Sequence, residues 1–456
     1  MLFARRSRAE SEPTAGAGEG RPKRSLGALI AHTFMTVIVG QGAQIVAGIV
    51  TARAFGPAGK GIISYAGVFA VFGIAGVDGL RNAMAFQFGN ERRSLGGVWR
   101  TALTILAAVA PAGSLVFLGL WLHDRSQLAF LFVALIFPFA AFLQTANMVY
   151  LVRHAVERIN VQNAWTIGAG SSLVIVVAVL AFHANIVPVL TIWAAGYIAA
   201  ALLAAGGLPR LLRPHDGDAP PSRASLWPEQ ARFAIKGGLS AIVTLLALRI
   251  DIIIVGAMLA KSSLGVYTTA LAVAELSGSL SRSVTYATTG RIATEPRAQA
   301  VALTSKIIRV LLLTQALAAI VVFIVGPYAI DLLYGARFAG AGLLLRIILA
   351  RPVVYSVDGV ISYFITVRAG RPGMQFAFEL GTLALCATST LLVVRPFGLI
   401  GAAAAATATF LVAFAVKLSY YVHVAGTGPR EALQPRLDDL PPPLRPYVSR
   451  LLPATR

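Results

Sequence analysis

The chain has 456 residues, 57% of them hydrophobic and only 13% charged, with a formal net charge of +20. A soluble protein carries about 25% charged residues, so the composition excludes a soluble enzyme or binding domain and indicates an integral membrane protein. The single cysteine, Cys386, excludes a disulfide framework, and six histidines without paired ligand spacing point to no metal or cofactor.

Residues 1–25 are polar and basic and read as a cytoplasmic tail leading into a signal anchor. Apolar runs long enough for a bilayer ~30 Å thick, about 20 residues each, follow over 26–54, 59–88, 98–122, 127–151, 162–182 and 187–206. A polar linker occupies 207–228. Six more runs cover 229–259, 262–290, 302–325, 338–367, 373–393 and 398–424, and 425–456 form a proline-rich cytoplasmic tail. Of the 39 Lys and Arg, Arg53, Lys60, Arg125, Lys261, Arg337 and Arg395 fall on external loops in this topology. Arg249, Arg346 and Arg351 fall inside segments, and the others lie on tails, loops and helix ends assigned to the cytoplasm. This asymmetry predicts twelve spans with both ends inside. It also makes the basic charge a topology signal with some attraction to anionic lipid headgroups, so no nucleic-acid partner is required.

The linker divides the segments six and six. FGPAGKGIISYAGVFA (55–70) lies without a gap on LAKSSLGVYTTALAVA (259–274), matching Gly61, Ala66 and Ala70 to Gly265, Ala270 and Ala274. Segments four and ten place Pro138 and Pro352, then Gln144 and Asp358, at the same spacing, and end at Arg153 and Arg368. Two matches in register predict a duplication. The expected fold is all-α, with one six-helix bundle over 26–206 and another over 229–424, related by pseudo-two-fold symmetry around a central cleft.

A cleft is lined by small and polar residues at helical spacing. Segment one carries Thr33, Thr36, Gly40, Gln44, Gly48 and Thr51, and segment seven carries Lys236, Ser240, Thr244 and Asp251. Segment eight carries Glu275, Ser279, Arg282 and Tyr286, and segment ten Arg351, Tyr355, Asp358, Ser362 and Thr366. At ~1.5 Å per residue, Arg249, Asp251, Glu275 and Arg351 fall near the midplane, where a charge costs roughly 2.5 kcal/mol or more. Asp78, Arg81, Arg282 and Asp358 fall in the cytoplasmic third. Asp78 and Arg81, three apart, can pair with each other. Arg249 and Asp251, two apart, point to different faces. Asp251 continues the polar face of segment seven and is expected in the cleft, and Arg249 is expected to be structural.

TARAFGPAGKGIISYAGVFAVFGIAGVDGLRNAMAFQFGN resembles the first hairpin of polysaccharide transporters in the multidrug/oligosaccharidyl-lipid/polysaccharide exporter superfamily, through Arg53, Phe55, Gly56, Pro57 and Gly61. RIDIIIVGAMLAKSSLGVYTTA resembles their seventh helix and the turn after it, DLLYGARFAGAGLLLRIILA their external turn before helix ten, and TVRAGRP their turn before helix eleven. The resemblance implies an O-antigen-unit type flippase that moves an undecaprenyl-pyrophosphate-linked oligosaccharide between leaflets by alternating access. Its setting would be the bacterial cytoplasmic membrane, beside a polysaccharide polymerase or glycosyltransferases. Such a substrate is anionic, so Arg81, Arg249, Arg282 and Arg351 would hold phosphate, with Gln44 and Tyr355 as further substrate contacts. Asp251, Glu275 and Asp358 would balance charge or take up a coupling proton.

Three rivals remain. The multidrug antiporters of the same superfamily export hydrophobic cations, which prefer carboxylates to arginines. Lipid II flippases typically have two further helices. A polyprenyl-linked-sugar enzyme would carry catalytic residues in large external loops, and the external loops here are short.

Overall fold

The structure is a computed structural model that describes residues 26–89, 93–153, 155–213, 227–276, 292, 296–434 and 436. Among these residues the regular structure is helical, without strands. The helices are α1 (Leu26–Gly89), α2 (Leu95–His123), α3 (Leu128–Val152), α4 (Val156–Phe182), α5 (Ile186–Leu211), α6 (Trp227–Met258), α7 (Lys261–Leu276), α8 (Arg297–Tyr334), α9 (Gly340–Thr366), α10 (Pro372–Ala425) and α11 (Pro429–Leu433). Nine of those described, all except α7 and α11, are long and apolar enough to cross a bilayer.

Two of the nine are each a pair of helices. Gly56 (φ 67°) breaks α1 and Gly398 (φ 57°) breaks α10, in the left-handed region that a side chain disfavours. The halves of α10 fold back on each other: Ser389 Oγ and Thr409 Oγ1 lie 3.2 Å apart, although 20 residues of unbroken helix would span about 30 Å. The first break falls between the expected segments one and two, and the second at the expected start of segment twelve. Segment eight begins as α7, and its remainder lies outside the described residues, as do the N-terminal tail and most of the linker. α9 is irregular, interrupted after Ile348 and again after Tyr355, with a π-helical stretch from Phe364. Pro352, which lacks an N–H, sits inside it.

Large apolar side chains such as Leu115, Phe182 and Leu392 are exposed, as lipid contact requires. The buried apolar residues form separate cores. One gathers Tyr65 and Phe132 from the first half with Leu264, Tyr267, Phe338 and Leu345 from the second. This core lies at the Gly56 end, which the charge asymmetry assigns to the exterior. Toward the other end the halves keep their own cores, one around Trp99 and Tyr150 that also takes Ala234 of α6, the other around Ile308, Phe364 and Tyr421. At the Gly56 end, Arg53 donates to the carbonyls of Leu332 and Leu333 in the last turn of α8. There too Lys261 Nζ donates to Gln127 Oε1 at 2.5 Å. Both contacts join one half to the other.

Candidate functional site

Residues two apart on a helix point about 200° from each other, and α6 uses this to serve two separate sites. Asp251 faces inward. Its Oδ2 accepts from Tyr267 Oη of α7 at 2.5 Å and from Arg351 Nη1 of α9 at 2.7 Å. Arg351 also donates to the Leu248 carbonyl and lies 4.2 Å from the centroid of the Phe410 ring on α10. The side chains of Arg351 and Asp251 are 3% and 0% exposed, so the cluster is an internal strut joining four helices. Arg351, expected as a substrate cation, and Asp251, expected as a cleft carboxylate, are thus both buried and paired with each other here. In a low-dielectric interior an arginine and an aspartate within reach satisfy each other rather than wait for a ligand. Asp251 Oδ1 keeps no hydrogen-bond partner among the described residues.

Arg249 faces the other way. Its Nη1 and Nη2 donate to Glu275 Oε1 and Oε2 of α7 at 2.6 and 2.9 Å, a bidentate fork. Here the side chains are 25% and 36% exposed. The expected exposures are thus inverted: Asp251 is buried and Arg249 is partly exposed.

A second polar cluster joins α9 to both halves of α10. Lys417 Nζ donates to Asp358 Oδ1 at 2.5 Å and to Glu379 Oε1 at 2.7 Å. Gln375 Nε2 donates to the same Glu379 oxygen at 2.7 Å, and Ser362 Oγ to Asp358 Oδ2 at 3.3 Å. Tyr355 is partly exposed and lines a small cavity with Asp358, Glu379 and Lys417. The cavity's free volume of about 20 Å³ suffices for about one water and not for a sugar. Glu379 and Lys417 were absent from the candidates. The signal in the sequence is a lone acid and a lone base inside segments eleven and twelve, and Lys417 reads there as the cytoplasmic end of segment twelve.

The other candidates are dispersed. Arg81 Nη1 bonds Asp78 Oδ1 at 2.6 Å on the same helix face, as their spacing predicts. Gln44 is exposed on the first half of α1. Arg282 lies outside the described residues, with Ser279 and Tyr286. Among the described residues no group of three or more His, Cys, Asp or Glu could hold a metal ion.

Residues 223–342, which contain Arg249, Asp251 and Glu275, match a family model described as a polysaccharide biosynthesis protein. The chain is similar to an outward-facing multidrug resistance MATE family transporter of the MOP superfamily at 15% identity and a TM-score of 0.61, over 87% of this chain and 95% of that one. Similarity to the lipid II flippase MurJ in an inward closed conformation is 13% identity and a TM-score of 0.62, over 94% of each chain. The chain shares the fold of these two proteins. MATE in its bent conformation aligns likewise, at 16% identity and a TM-score of 0.58 over 88% of this chain and 97% of that one. No curated protein matches the sequence. The shared fold and the polysaccharide family model agree with the resemblance seen in the sequence, and the apolar helices make the chain a multi-pass helical membrane protein.

Proposed function

We propose that this chain is a flippase for an undecaprenyl-pyrophosphate-linked oligosaccharide, carrying it from the cytoplasmic to the outer leaflet of the bacterial inner membrane. The observation that carries this reading is the half-open Arg249–Glu275 fork, inside the stretch that matches the polysaccharide family model. A planar guanidinium held by a carboxylate is preset for bidentate exchange onto a phosphate. Arrival of a pyrophosphate displaces Glu275, and a proton on the freed carboxylate then balances the charge. The lipid tail stays in the bilayer. The bundles over 26–206 and 229–424 rock against each other, with both termini in the cytoplasm. The neighbouring partners are enzymes that build or polymerise the same oligosaccharide.

The MATE likeness favours one alternative, export of an organic cation, with Glu275 as its carboxylate. Proteoliposomes separate the two. A flippase moves a fluorescent undecaprenyl-pyrophosphate oligosaccharide between leaflets and leaves an ethidium gradient untouched. Ethidium movement without lipid transfer overturns the flippase reading.

A further inference from the structure

We propose that Lys60 binds the phosphate or pyrophosphate anion of the transported lipid at the Gly56 end of the path, a second station beyond Arg249; this rests on the flippase reading above. Lys60 follows the Gly56 break by one helical turn, a place from which a lysine normally reaches out to the aqueous interface. Here it is partly buried, and its ammonium turns the other way. A Cβ built on Gly48, eight residues before the break on the first half of α1, would lie 3.5 Å from Lys60 Nζ. Gly48 belongs to the small and polar face that also carries exposed Gln44. The ammonium thus lies deeper in the membrane than the backbone that bears it, along a polar face.

What sets Lys60 apart from the paired cations above is that no carboxylate among the described residues pairs with it. Arg81, Arg249, Arg351 and Lys417 each hold a carboxylate. Lys60 makes no hydrogen bond or ion pair with any described residue. Of the cations at this end, Lys261 donates to Gln127 and Arg53 to the α8 carbonyls, and Arg337 lies against Gly56. An unpaired ammonium in a low-dielectric setting lowers stability and attracts any phosphate that enters. The order along the path gives it a role. A pyrophosphate at Arg249 competes with Glu275, whereas at Lys60 it meets no competing acid, so the anion gains as it advances toward the Gly56 end.

The test uses the full chain in phosphatidylcholine nanodiscs, with sugar-free undecaprenyl pyrophosphate as the probe. Lys60→Met is expected to weaken binding about tenfold or more while unfolding at the same or a higher temperature, and Lys60→Arg is expected to bind. Lost binding together with a lowered unfolding temperature makes Lys60 structural and overturns the proposal. Unchanged binding by Lys60→Met, where the wild type binds, overturns this site and leaves the flippase reading standing. A wild type that does not bind the probe overturns both. Adding phosphatidylglycerol to the discs distinguishes the source of the phosphate. Displacement of the probe from Lys60 by it makes the site one for ordinary headgroups and overturns the transport role.

Discussion

Gly61 packs on the carbonyl of Lys261, and Gly265 packs on the carbonyl of Pro57. In the gapless alignment of 55–70 with 259–274, position 57 corresponds to 261 and 61 to 265. The two contacts are therefore copies of one another, as an isologous interface requires. They set the pseudo-two-fold relationship at the Gly56 end, where α1 and α7 touch backbone to backbone. Any side chain at either glycine would overlap the opposing carbonyl.

That overlap gives the first prediction. Gly61→Ala or Gly265→Ala adds a methyl with no room, and overpacking costs about 1–3 kcal/mol. The penalty falls on the arrangement in which these two contacts are made, so each substitution shifts the population about five- to 150-fold toward one in which this end is open. Spin labels on exposed Ala54 and Ala339 report it as a longer interlabel distance. An unchanged distance distribution in both variants would show that these contacts do not hold this end together.

The buried strut gives the second. Removing one member of a buried ion pair strands the other and costs about 3–5 kcal/mol. Arg351→Ala and Asp251→Ala should each lower the unfolding temperature and the amount of protein in the membrane. The double variant Asp251→Leu/Arg351→Met should recover much of the loss, because neither charge is then stranded. Additive losses in the double variant would show that the two residues act independently.

The third concerns the accessible fork. A pair as exposed as Arg249–Glu275 contributes about 0–1 kcal/mol to stability. Arg249→Ala should therefore leave abundance and unfolding temperature close to wild type and reduce lipid transfer at least tenfold. A variant that loses folding and transfer together would place Arg249 with the structural residues.

How much of this was visible beforehand depends on what periodicity encodes. The apolar runs and the charge asymmetry gave the helical membrane architecture, and glycine-proline at 56–57 marked the first break. The spacing of Arg249 and Asp251 correctly separated their faces. It could not say which face met protein, because that depends on Tyr267, Arg351 and Phe410, brought together from three other helices. Polar stripes on single helices are the same whether they line a cleft or bond a neighbour. Lys60 was hidden for a related reason: a lysine near an external turn reads as a topology marker, and only the fold shows its ammonium beside Gly48.

The last prediction concerns Lys417, which lies between two carboxylates in a cavity with room for about one water. Its ammonium offsets one of the two negative charges. Lys417→Met leaves Asp358 and Glu379 facing each other without a cation, and repulsion adds to desolvation, so a loss of about 3–5 kcal/mol is expected. Glu379→Gln alone leaves a neutral Lys417–Asp358 pair, and its amide can still bond Gln375, so it should fold at least as well as wild type. The double variant Lys417→Met/Glu379→Gln returns the cluster to its original net charge of one carboxylate. If charge balance is what Lys417 provides, this variant should regain most of the stability lost by Lys417→Met. Thermal unfolding of the four proteins decides the matter. A double variant as unstable as Lys417→Met would assign Lys417 a packing role against Phe414 and Tyr355, residues that line the same cavity, rather than an electrostatic one.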